Sequence, residues 1–130
     1  MSRHLELGRL AEDRAAAYVA SLGWKLLGRN LTNAFGELDI AALDRSTGEL
    51  VVVEVRCRTL GNVQSPSDSI GPQKLRTLVK AGRAFVEARG WTGPWRIDLI
   101  GFTVRSDAGE DEAIWELEHL RDITGGDYPS

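Results

Sequence analysis

Two acids, Asp39 and Glu54, stand in short apolar segments joined by a tight loop, in the run Gly36 to Arg58, GELDIAALDRSTGELVVVEVRCR. Side chains alternate faces along a strand. Leu38, Ile40 and Ala42 then share one face of the first segment, with Glu37, Asp39 and Ala41 on the other. In the second, Val51, Val53, Val55 and Cys57 share a face, and Val52, Glu54, Arg56 and Arg58 the opposite one. If Asp44 pairs with Glu49 across the Asp44-Arg-Ser-Thr-Gly48 loop, Ile40 faces Val53 and Leu38 faces Val55. The same register sets Asp39 opposite Glu54 and Glu37 opposite Arg56, and a slip by one residue would turn every side chain to the wrong face.

Opposed residues hold their Cβ atoms about 5 Å apart. Two carboxylates at that distance repel, and valine-rich surroundings raise the cost of charge. A hard divalent cation relieves both problems, and few carboxylates completed by water suit Mg²⁺ or Mn²⁺. Such an ion activates water and steadies charge on a phosphate. Pairing of the same acids with Arg56, Arg58 or other cations, with no metal at all, satisfies the pattern equally.

The elements that must position these residues follow from periodicity. Leu7, Leu10, Ala11, Ala15, Tyr18 and Leu22 recur at helical spacing, predicting a helix over 5–22 that Gly23 ends. Strands are expected at 24–32, 37–44, 49–58 and 95–105, with a short one at 113–119. A loop spans 59–70. Pro72 opens a second helix, to about Arg89, with Leu75, Leu78, Val79, Gly82, Phe85 and Val86 as its apolar stripe. The order α-β-β-β-α-β-β implies an α/β fold, a mixed sheet flanked by helices.

Gly36-Glu-Leu-Asp39 followed by Val53-Glu-Val-Arg56 resembles the PD-(D/E)xK motif of the restriction-endonuclease-like superfamily. The whole chain resembles the bacterial YraN family, through the helix Gly8 to Tyr18, Gly28-Arg-Asn30, the two motif strands, Lys74 and Arg96-Ile-Asp98. The resemblance covers about residues 8–105 and implies a likeness to archaeal Holliday-junction resolvases. Position by position it makes Glu12, Asp39 and Glu54 the metal ligands, for Mg²⁺ or Mn²⁺. Helical geometry permits Glu12, which lies on the flank of the apolar face, whereas Glu6 and Asp13 lie on the far side. Arg56 stands where the motif has lysine. Arginine stays protonated and cannot be a general base, but it can clamp a phosphate. Lys74 is placed to supply the missing amine. Asp39, Glu54, Arg56 and Lys74 are thus the expected catalytic set.

Charge is unevenly spread. Residues 1–105 hold fifteen Lys and Arg against eleven Asp and Glu, while 106–130 hold one against eight. The expectation is an endonuclease-like domain at 1–105 and a short strand with an acidic end at 106–130, packed on that domain or trailing from it. The basic second helix, with Lys74, Arg76 and Lys80, joins Arg56 and Arg58 as a phosphate-contacting surface, or is an ordinary solvated face. Arg96 and Asp98 read as an internal ion pair near the site, His4 and His119 as isolated, and Cys57 as a core thiol. One cysteine, a charged N-terminus without an apolar stretch, and no run long enough for a membrane predict a cytoplasmic chain. The functional expectations are a metal-dependent nuclease on branched or structured DNA, working as a homodimer if it follows the resolvases; a nucleic-acid-binding domain of the same fold without efficient cleavage; or a protein-interaction domain with no metal site.

Overall fold

The computed structural model describes residues 3–59, 70–105 and 114–124. Residues 60–69 of the expected loop and most of the acidic end fall outside the described residues. The first helix, α1 (Arg3–Ser21), closes with Gly23 at φ 84°, and Trp24 N–H reaches the Val19 carbonyl at 3.2 Å. Glycine takes this left-handed cap without strain. The buried stripe of α1 is Ala11, Ala15 and Val19, whereas Leu10 and Leu22 are 49% and 40% exposed. The expected apolar face is therefore rotated, because small side chains let the helix lie close on Val51, Val53 and Ile100.

Five strands form one sheet in sequence order: β1 (Lys25–Asn33), β2 (Gly36–Asp44), β3 (Glu49–Thr59), β4 (Trp95–Arg105) and β5 (Ile114–Leu120). All neighbours are antiparallel except β3 and β4. A parallel pair needs a long crossover, and α2 (Pro72–Ala88) supplies it. The α/β order α-β-β-β-α-β-β is as expected. β3 is buried on both faces, so its valines serve two cores. Val51 and Val53 pack under α1 with Ile100 and Phe102, while Leu50 and Val52 pack under α2 with Leu78, Val79 and Ile97. At Gly82 a Cβ would sit 2.8 Å from Trp95 Cζ3, so glycine sets how closely α2 approaches the sheet.

Leu38 does not share a core with Ile40 and Ala42. It packs with Leu31 in the α2 cluster, while the other two pack under α1. β2 outruns its pairing with β3 here, and a two-stranded ribbon twists more strongly than a full sheet. The β1–β2 end curls onto α2, where Asn33 Nδ2 donates to the Ala81 carbonyl at 2.9 Å. No described helix is long and apolar enough to cross a membrane.

Candidate metal centre

The β2–β3 ladder runs from Asp44 opposite Glu49 to Ile40 opposite Val53, the expected register. There it stops. The pairs extrapolated from it, Asp39–Glu54, Leu38–Val55 and Glu37–Arg56, lie beyond the last rung. Instead of facing Glu54 across a ladder, Asp39 sits in the fork between the strands, and its Oδ2 accepts the Val55 N–H at 2.8 Å.

Glu54 is buried, on the α2 side of β3 with Val52. Burial, then the charge of Asp39 and a hydrogen bond with it, push its carboxyl up to about 7. Arg56 Nη2 at 3.0 Å and Lys74 Nζ at 3.6 Å from Glu54 Oε2 pull the other way. Glu12 comes from α1. Burial and the Asp39 charge raise its pKa against the pull of Arg29, and its buried Oε1 has no hydrogen-bond partner. Asp39 is thus the shared electrostatic neighbour of Glu12 and Glu54, which reach it from different elements.

Among the described residues, no three His, Cys, Asp or Glu side chains close into a ready-made metal cage. Magnesium does not ask for one: it takes one or two carboxylates and completes its octahedron with water and substrate phosphates. Oxygen-only donors, a repelling carboxyl pair and an unsatisfied buried Oε1 fit a hard cation of this kind.

The structure brings Arg56 and Lys74 together on Glu54. Arg58 Nε points instead to Thr103 Oγ1 at 3.3 Å. Arg76 and Lys80 are exposed one turn apart on α2. Cys57 packs half-buried against the α1 core, and burial raises its thiol pKa.

The sequence matches the profile of Uncharacterised protein family UPF0102 over residues 11–102. A relative from Chlorobium chlorochromatii is 34% identical over 117 residues, 90% of this chain and 89% of the relative. One from Mycolicibacterium smegmatis is 38% identical over 115 residues, 86% of this chain and 90% of the relative. The chain belongs to the UPF0102 family. This is the bacterial YraN family that the motif strands resemble. A further UPF0102 protein, from Oleidesulfovibrio alaskensis, is 36% identical over 112 residues, and this chain spans only 54% of its length. The segment matched to UPF0102 contains Glu12, Asp39, Glu54, Arg56 and Lys74.

This UPF0102 chain also carries a second buried polar cluster, on the α1 face of the sheet. Arg96 Nε donates to Asp98 Oδ1 at 2.9 Å, Nη2 to Asp44 Oδ2 at 2.9 Å, and Nη1 to Glu49 Oε1 at 2.6 Å. The expected Arg96–Asp98 pair is real, but it lies on the face opposite Glu54, with Trp24 under the guanidinium at 5.3 Å. His119, read from the sequence as isolated, is a member: Nε2 meets Asp98 Oδ2 at 2.9 Å and Nδ1 meets the Tyr18 hydroxyl at 2.9 Å. The His4 reading rests on a side chain outside the described set. Asp44 and Glu49 complete the cluster. Their direct opposition was itself the signal, since two facing carboxylates need a cation, and Arg96 is that cation.

Burial alone would raise the Asp44 pKa, but hydrogen bonds from Ser46 and Arg96 hold it at about 2, against 3.8 ordinarily. Its folded pKa is depressed, so the stability it contributes is full above about pH 4 and is lost as pH falls toward 2. Asp98 is shifted the same way. Urea unfolding at pH 5 and pH 2.5 should show wild type losing about 2 kcal/mol more across this window than Asp44→Asn. Equal losses in both proteins would remove Asp44 as the titrating group.

Proposed function

We propose that this UPF0102 chain is a divalent-metal-dependent, nuclease-like protein that hydrolyses phosphodiesters in structured or branched DNA, in the manner of the Holliday-junction resolvases. The observation that carries this is the grouping of Glu12, Asp39 and Glu54 around one fork, with Arg56 and Lys74 at its edge. Asp39 and Glu54 would hold Mg²⁺ or Mn²⁺, and Glu12 would complete the site. The bound ion would supply Lewis acidity and lower the pKa of water. Asp39 is oriented by the Val55 N–H, so the strand itself aims it. Arg56 clamps the scissile phosphate and steadies the charge that develops on it. Lys74 brings an amine to the position left by the motif lysine.

One observation favours a second reading, a DNA-binding domain of the same fold with weak or no cleavage. Arg56 and Lys74 both already pair with Glu54, and the motif position is an arginine. The deciding experiment is incubation of the purified protein with Mn²⁺ and a panel of four-way junctions, flaps, duplexes and RNA hairpins. Junction cleavage is expected, and Arg56→Lys should raise the rate by at least about tenfold by restoring an amine able to carry a proton. Tight binding without cutting in either protein supports the second reading. No metal effect and no nucleic acid bound would leave a protein-interaction domain.

A further inference from the structure

The β1–β2 hairpin ends in a tight turn, Ala34 and Phe35, between Asn33 and Gly36, which pair across it. The tip is pinned. Asn33 uses both ends of its amide: Oδ1 accepts the Phe35 N–H at 2.9 Å, and Nδ2 donates to the Ala81 carbonyl of α2 at 2.9 Å. At Gly36 an added Cβ would meet Thr77 Cγ2 at 3.3 Å and Ala81 Cβ at 3.7 Å, so the ribbon lies directly on the helix. Phe35 itself is 55% exposed, the highest figure among the large hydrophobic side chains described. A single exposed apolar residue is ordinary on a protein surface. An aromatic ring on a pinned tip, beside the candidate site and between cations, calls for a ligand.

Thr77 and Ala81 mark where the tip rests on α2. Lys74 lies one turn before Thr77 and the exposed Lys80 one turn after it, so two ammonium groups bracket the tip. Lys74 Nζ is also 3.6 Å from Glu54 Oε2, which ties the tip to the fork. Along β2, Phe35 precedes Asp39 by four residues, about 13 Å at strand rise. Stacked bases rise about 3.4 Å per step, so the ring stands about four nucleotides from the proposed metal. Lysines suit phosphates, and an exposed ring suits the face of a base. Resting on the nucleic-acid reading above, we propose that Phe35 stacks on a base laid bare at a branch or strand end, and so sets a preference for branched over continuous DNA. Inside a closed duplex each base is covered on both faces by its neighbours and offers the ring nothing. Stacking reads no hydrogen-bond edge, so the preference is for shape and not for sequence.

The test uses the full chain, with Ca²⁺ in place of Mg²⁺ to suppress cutting. Fluorescence anisotropy reads binding to a forked duplex with two single-stranded arms, and competition by a relaxed, covalently closed circle reads binding to duplex without ends. Phe35→Ala should weaken fork binding about tenfold, the share that one stacked base carries, and leave the affinity for the circle unchanged. Phe35→Trp should restore fork binding, whereas Phe35→Leu, apolar but without a π face, should not. In wild type, 5-iodouracil placed beside the branch point should photocross-link to Phe35. These variants change an exposed turn residue, so each should melt within about 2 °C of wild type. Fork binding unchanged in Phe35→Ala, or an equal loss on fork and circle, overturns the stacking assignment and leaves the metal site standing. Failure of wild type to bind either DNA overturns both readings.

Discussion

Arg96→Met is expected to lower the unfolding free energy by about 3–5 kcal/mol at pH 7, the range found when one partner of a buried ion pair is removed. The guanidinium holds three acids at once, and two of them, Asp44 and Asp98, are fully buried. Methionine keeps most of the volume and the contact with Trp24 but offers no donor. His119 and the Asp122 N–H still serve Asp98, whereas Asp44 keeps Ser46 and the more distant Arg121. The deficit should shrink at pH 4, where the stranded carboxyls can take up protons. Chemical denaturation at the two pH values checks both statements. A loss below about 1 kcal/mol would put the cluster in the class of surface pairs, contrary to its burial.

The second large effect concerns the fork. Millimolar Mn²⁺ or Mg²⁺ should raise the melting temperature of the wild type by roughly 5 °C, because a ligand that binds only the folded state stabilises it by mass action. Asp39→Ala should abolish the shift, and it should also lower stability without metal by orphaning the Val55 N–H. Glu54→Gln should abolish the shift with the opposite side effect. The Glu54 pKa is raised in the folded state, from 4.5 to about 7, so wild type loses stability as pH climbs through that interval. Glutamine has no such titration, and at pH 8 without metal the variant should be more stable than wild type. Differential scanning fluorimetry of the three proteins with and without Mn²⁺ reads all of these. An equal metal shift in all three would place the ion elsewhere and remove the basis for a nuclease.

These predictions rest on one piece of physics applied at two places. Acids brought together by adjacent strands require a cation between them. At Asp44 and Glu49 the ladder is intact, and Arg96 from β4 supplies the charge. At Asp39 and Glu54 the ladder has opened, and Arg56 and Lys74 answer only Glu54. The sequence pattern is alike at both places, so spacing could not tell a structural pair from a metal site. What separates them is the residue β4 brings: Arg96 reaches Asp44 and Glu49, whereas Leu99 is the neighbour of Glu54.

Helical and strand periodicity, the turn chemistry around Gly48 and the proline at α2 were enough to determine the α/β class, the order of elements and the register near the hairpin. Each of these is a local matter, decided within a few residues by backbone sterics and by which side chains must leave water. Tertiary structure decided the rest. The β2–β3 ladder ends at Ile40, and the stronger twist of the two-stranded β1–β2 ribbon beyond it turns Leu38 to the other core. Tyr18 meets His119 across 101 positions, and Arg96 meets Asp44 across 52. Such partners are chosen by the packing of the whole sheet and its helices, because a hydrogen bond is read in space and leaves no period in the chain.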